Sequence, residues 1–409
     1  MKSKVLVVLI LFLAATIGIY SIFMNKKDDK KDEPYNPNDV EISEFDYAFL
    51  KLETNKENLI YSPLSIKYAL FMLSDGASEN TKKEIDDLIG DKLPTKYKNI
   101  DKVLSLANSI FIIDTYKEYV LDEYINTLKD KYDAEVIYDK FKNANNVNKW
   151  IEEKTFKIIK NMLEDSDVQN ETLKMILINA LAIDMEWDVE FDDNNTGSSQ
   201  FIKENKDKIK VAMMHKSSTY NEYYKDDDYT ILSLPLKKYE DTELEFIAVM
   251  PDKDLHKFIT SDDFEKNLES VLNKIHKPDE EELSISIPRF EFNYNLKLKE
   301  DLMNLGIKDA FSIKNANFSN MSKEELYVGD AKHKADIKFS EKGIKAAAVT
   351  VIMMLEKSAF EEPKEIVELN FNKPFMFIIR DKNTKDVWFT GTVYEPVLWD
   401  EVKDDYKQR

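Results

Sequence analysis

Cysteine is absent from all 409 residues. That single absence excludes disulfides, a thiol nucleophile and thiolate metal sites. It does not place the chain in a reducing compartment, because a core of this size needs no covalent staples. Glycine is scarce, and eight residues leave little from which to build a phosphate-cradling loop. Neither GxxxxGK[ST] nor GxGxxG occurs, and there is no GxSxG nucleophile elbow. Histidine is limited to His215, His256, His276 and His333, with no HExxH pairing, so zinc or histidine-based catalysis has little support. Positive charge is in deficit: 58 basic residues face 78 acidic ones, a net charge of −20. That balance argues against a nucleic-acid partner, which needs a basic surface. It favours solubility and could attract a basic partner. The acidic runs Asp226-Asp227-Asp228 and Glu280-Glu281-Glu282 read as solvated loops. The inventory favours neither an enzyme nor a cofactor or metal.

What is present begins with a leader. Lys2 and Lys4 precede an uncharged run from Val5 to Met24, long enough to span a bilayer and at the upper limit for a signal peptide. Residues 1–25 are therefore a signal peptide or an uncleaved signal anchor. The body is expected outside the cell, secreted or held at the surface, touching the membrane only through that segment. Residues 26–40 form a charged, proline-containing linker. Residues 41–398 form one body, and 399–409 a C-terminal tail.

Within the body, apolar spacing predicts helices over 42–53, 63–73, 82–88, 118–131, 145–164, 261–274 and 297–306, with Ser62 capping the second before a proline at its first position. Strands are expected within 102–113 and over 208–214, 229–236, 243–250 and the alternating 282–293. The continuous apolar run 175–183 suits a central strand. Helices early and strands late argue for an α+β body.

One stretch fits neither class. In EKGIKAAAVTVIMMLEKSAFEEP (341–363), Ile344, Ala346, Ala348, Thr350, Ile352 and Met354 share one face at a period of two, the pattern of a strand with a buried side. Beyond it the chain turns charged and irregular, as an exposed tether would. The residues alone leave two readings open: a permanently packed strand, or a loop competent to become one.

The surroundings carry a family resemblance. HKADIKFSEKGIKAAAVT (333–350) resembles the hinge of the serpins, and FNKPFMFIIRDKNTKDVWFTGTVYEP (371–396) the hairpin after their reactive loop. NLIYSPLSI (58–66), DGASENT (75–81), LSLANSIFI (104–112), VNKWIEEKT (147–155), LINALAIDMEW (177–187) and IPRFEFNYNLKLKEDLMNLGIKDAFS (287–312) follow the family's order, covering roughly 41–397. The resemblance implies a serpin fold, three β-sheets with about nine helices, and an exposed reactive centre loop over about 341–370. It implies a monomer that inhibits a serine protease: the enzyme attacks the loop, and the freed half inserts into the main sheet before water releases the enzyme.

Carried over residue by residue, Glu341 matches the hinge glutamate and Gly343 the hinge glycine, followed by Ala346, Ala347, Ala348 and Thr350. Ile344 departs from the usual small hydroxyl residue, and Lys345 from the usual glutamate. Ser62, Ser65, Asn179 and His333 match the polar shutter cluster that governs sheet expansion. Trp187 matches the breach tryptophan where insertion starts, although Ile183, Asp184 and Met185 depart from the aromatic and glycine expected before it. The family's spacing from the hinge glutamate puts the reactive bond between Lys357 and Ser358. Those 16 residues must span the sheet, some 16 × 3.3 Å or about 53 Å. Counting back from Phe371 would put the cut near Pro363, and cuts after Leu355 or Phe360 are alternatives. Lysine before the bond implies a trypsin-like protease with an acidic pocket. The competing reading is a non-inhibitory serpin acting as a binding or chaperone-like module.

Overall fold

The computed structural model describes residues 43–53, 55–344 and 365–407. The leader (1–25) and the linker (26–40) lie outside them. The most deeply buried layer is a six-stranded antiparallel sheet in the order Leu59–Tyr61, Val387–Val393, Phe375–Asp381, Leu244–Pro251, Tyr229–Pro235, Tyr223–Lys225. Three of its strands, Leu244–Pro251, Phe375–Asp381 and Val387–Val393, are buried throughout and mostly apolar without alternation, the buried Glu245 and Arg380 pairing with each other. A second sheet joins Ile366–Asn370, Glu282–Pro288, Lys208–Ser218 and Thr196–Ile202.

The third sheet positions the site. Its strands are β1 (Leu104–Ile113), β2 (Glu135–Asp139), β3 (Met175–Ile183), β4 (Met185–Glu186), β5 (Phe290–Leu296), β6 (His333–Ser340) and β7 (Gly343–Ile344). On one side β3 runs antiparallel to β1 along its whole length, from Ile183 opposite Leu104 to Met175 opposite Ile112, and β2 lies parallel on the far edge of β1. On the other side β5 and β6 pair from Phe290 opposite Phe339 to Leu296 opposite His333. The halves meet only at the top, where β7 pairs with β6 and β4. Because β3 passes through Asp184 straight into β4, the halves are one sheet, which makes three sheets among the described residues and an α+β body, as the serpin resemblance implies.

Helix α1 (Pro63–Gly76) lies beneath this sheet against β3. Ser62, in extended conformation, accepts a hydrogen bond from Ser65 N at 3.1 Å, and Pro63 fills a position whose N–H would have no partner.

Several expectations are corrected. Helix α2 (Asn145–Lys154) stops ten residues short of the predicted end at 164. Thr155 Oγ1 bonds back to Ile151 O (2.7 Å) and accepts Ile159 N (3.2 Å), while Phe156, Lys157 and Asn161 take positive φ. Asn148 then pins Leu163 through both its N–H and its C=O, folding the segment back so that Ile159, Met162 and Leu163 still pack into the core beside α2. The apolar periodicity thus reports burial without helix. The predicted strand 282–293 is two strands of different sheets, Glu282–Pro288 and β5, divided at Arg289. The helix expected over 118–131 is a 3₁₀ turn, Asp114–Tyr119, followed by a helix Asp122–Tyr132. Strand β2 has no clear period and was not legible. The tail from 399 forms helix α3 (Trp399–Lys407), closed by stacking of Trp399 on Tyr406. The run 175–183 is a strand, but not an interior one: among the described residues nothing pairs with its second edge.

Candidate functional site

Below the β4–β7 rung, the free edge of β3 faces the free edge of β6. Between them lies a cleft of about 740 Å³, floored by α1 and by the fold-back at 157–163. Its long walls are Met175 to Ile183 on one side and His333 to Lys338 on the other. Two facing strand edges with no strand between them among the described residues are a template for another strand. Apolar residues of β3 exposed to the cleft, Met175 to Ile178, are only partly buried, which accounts for an apolar run on a strand that is not interior.

At the cleft's centre sit the four expected polar residues. Ser62 N donates to His333 Nε2 at 3.0 Å, and Ser62 Oγ accepts Ser65 N, so these three form one bonded chain. As an acceptor, Nε2 carries no proton, and burial pushes the His333 pKa down to about 4. Asn179 stands on the opposite wall. Its amide donates to Asn108 Oδ1 at 2.8 Å, and Asn108 in turn donates to Tyr132 O. Asn179 Oδ1 is buried without a partner. The fold brings all four to one cleft but does not join Asn179 to His333.

The rung above is built for close approach. Gly343 has φ +153°, and a Cβ there would lie 2.2 Å from Met185 O, so only glycine fits. Ile344, 3% exposed, is already seated between Phe339 and Met185. Trp187 staples this corner: its Nε1 donates to Ser340 O (2.8 Å), its N–H to Lys342 O (3.0 Å), and its ring packs on Phe246 and Phe339. Glu341, 4% exposed, accepts from Thr196 Oγ1 at 2.8 Å and from Tyr406 OH at 2.5 Å, with Arg289 Nε 3.8 Å from its other oxygen.

A family model described as Serpin (serine protease inhibitor) matches residues 46–396. The chain belongs to the serpin family. It is 28% identical to human neuroserpin over 391 residues, covering 88% of this chain and 92% of that one. Among solved structures, a thermophilic serpin, tengpin, in its native state superposes with a TM-score of 0.71 at 26% identity, covering 87% of this chain and 96% of that one. A thyroxine-binding globulin solved with thyroxine gives 0.70 at 25% identity, covering 89% and 100%. Serpins are mostly protease inhibitors and not enzymes.

Of the residues expected to matter in this serpin, Glu341, Gly343, Ile344 and Trp187 gather at the top of the sheet, and Ser62, Ser65, Asn179 and His333 line the cleft below. Ala346, Ala347, Ala348, Thr350, Lys357 and Ser358 lie outside the described residues. The departure at Met185 is accommodated, since its side chain is fully buried under the rung. Of the freed half of the loop that is expected to insert, Ile344 already pairs in the sheet of the intact chain.

Sequence reading missed Thr196, Arg289 and Tyr406 around Glu341. A signal existed for the second. Only three of the 58 basic residues are arginine, and both described ones, Arg289 and Arg380, face buried glutamates, Glu341 and Glu245. Arginine's planar fork suits such pairs better than lysine's point charge.

Among the described residues no cluster of three or more histidine and acidic side chains could hold a metal, and no helix is long and apolar enough to cross a membrane.

Proposed function

We propose that this serpin is a suicide-substrate inhibitor of a trypsin-like serine protease, cleaved between Lys357 and Ser358. The observation that carries the reading is the cleft itself, a strand-sized gap between two edges that no described strand joins, whose top rung is the start of the expected reactive loop. Continued at the register of that rung, the loop sequence puts Ala346 between Ile183 and Ile337, and Ala348 between Leu181 and Ala335. Thr350 then falls between Asn179 and His333. Its hydroxyl would donate to the orphan Asn179 Oδ1 and accept a hydrogen bond from His333 Nδ1–H, closing a network left open among the described residues.

In the reaction, the protease serine attacks the Lys357 carbonyl, the bond to Ser358 breaks, and the departing amine takes a proton. An ester then joins Lys357 to the enzyme. The released segment zips down the cleft and carries the enzyme away from where it bound. Per residue, a net hydrogen-bond gain of about 0.5–1.5 kcal/mol roughly offsets an ordering cost of about 1–2 kcal/mol. Side-chain burial therefore sets the sign, at roughly 1.5–3 kcal/mol each for Ile352 and Met354.

The likeness to a thyroxine-binding globulin supports a second, non-inhibitory reading, in which the same fold binds a ligand or a partner. Incubation with trypsin separates the two. An inhibitor yields a covalent complex that survives denaturing electrophoresis, whereas a binding module yields only a clipped chain. The leader pattern supports work outside the cell, secreted or anchored through residues 1–25, and the family resemblance supports a monomer.

A further inference from the structure

Helix α3 lies beyond residues 46–396, the part matched by the family model. It is fastened to the body through backbone: Ala212 N donates to Val397 O, Val397 N to Arg289 O, and Arg289 N to Ala212 O. Trp399 stacks on Tyr406 at 5.6 Å and holds that ring in place. Tyr406 OH donates to Glu341 Oε1 at 2.5 Å and accepts from an Arg289 guanidinium nitrogen, and the guanidinium also lies over the Tyr406 ring. One phenol thus ties the C-terminal helix to the carboxylate at which β6 turns into the loop.

We propose that Tyr406 is a positioning residue for loop insertion, acting through Glu341 to keep the β7 rung formed in the intact serpin. The turn at Glu341 and Lys342 carries the chain from β6 into β7 and is anchored at both residues: Lys342 pairs with Glu190 at 2.7 Å and its carbonyl accepts the Trp187 N–H, while the Glu341 carboxylate is held by Thr196 and Tyr406. With the rung in place, a cleaved loop adds residues to an existing strand end. Without it, insertion must first nucleate, paying the ordering of several residues before any gain returns. Tyr406 makes trapping win over hydrolysis of the acyl-enzyme without touching the protease or the bond it cuts.

The inference rests on the trapping reading above, but its first test does not. In the intact full chain, Tyr406→Phe removes the phenol oxygen and keeps the ring. The N–H of Trp187 and of Phe191, bonded to Lys342 O and Glu341 O, report the rung directly. Their hydrogen exchange is expected to quicken roughly tenfold in the variant, about the weight of one hydrogen bond to a charged group. Unchanged exchange there overturns the proposal. With trypsin, the variant should be consumed at the parent's rate while clipped product rises severalfold relative to covalent complex, a split that general destabilisation would not produce. Glu341→Gln should act similarly, and the double variant should be no worse than Glu341→Gln alone. Additive effects would show that Tyr406 does not act through Glu341. If the parent itself forms no complex, the inhibitor reading fails, and the exchange result still decides the role of Tyr406.

Discussion

Replacing Ile344 by Arg strikes the last described residue at the start of the expected loop, which is already seated in the sheet beside Gly343. Ile344 is 3% exposed, faces the cleft, and sits between Phe339 on one strand and Met185 on the other. Losing its burial costs roughly 1.5–3 kcal/mol. Forcing a guanidinium into the same place without a carboxylate partner adds several kcal/mol more. The charged side chain escapes this by leaving, which unmakes the β7 rung in the intact protein and bars its re-formation after cleavage. A penalty of about 4 kcal/mol on the insertion step slows it on the order of a thousandfold, while attack on Lys357, far along the loop, is untouched. Hydrolysis of the acyl-enzyme then outruns insertion. Mixed with trypsin and run on a denaturing gel, the variant should give clipped chain in place of covalent complex, whereas Lys345→Glu, on the other face of the sequence's period of two, should behave as the parent does. Complex formation by Ile344→Arg at the parent's stoichiometry would refute the account of the buried face.

His333 is held neutral with a pKa near 4, below the unfolded value of about 6.5, so protonation favours the unfolded chain. Its contribution is complete above about pH 6.5 and lost as pH falls towards 4, at most roughly 3 kcal/mol. Urea unfolding should therefore show a shallower loss of stability between pH 7 and 4.5 in His333→Gln than in the parent, and parallel curves would contradict the assignment. Thr350→Val should leave the intact chain unaltered but remove about 1–3 kcal/mol from the stability gained on nicking, since Asn179 Oδ1 would stay unsatisfied beside a methyl group. An equal rise in unfolding temperature for both nicked chains would reject the extrapolated register. Lys357→Ala should slow complex formation with trypsin roughly a hundredfold or more, because the acidic pocket would be left without its partner. An unchanged rate would move the cut to another bond.

Much of this arrangement could be read from the residues, and the failures have physical causes. The helix at 63–76 announced itself by Ser62 and Pro63, and the core strand Leu244–Pro251 was expected over 243–250. The hinge and the cleft residues were reached through motif order, because no local pattern tells that Ser62 will meet His333, 271 positions away. The run 175–183 misled in an instructive way. Its apolar character is that of an interior strand, and it is the missing neighbour that keeps it from being one. Segment 155–164 misled because burial imposes the same residue choice on a fold-back pinned by Asn148 as on a helix. The contacts around Glu341 were hidden for another reason. Thr196, Arg289 and Tyr406 come from three distant segments, and a phenol near the C-terminus carries no sign of the carboxylate it will bind.

The central claim is that cleavage lets the loop fill the cleft. Amide hydrogen exchange across residues 345–354, compared in the intact chain and in the chain nicked after Lys357, addresses it directly. Nicking should make those amides strongly protected, together with the free edges at 175–183 and 333–338. If exchange in all three segments stayed as it was before the cut, the cleft would not be the loop's destination.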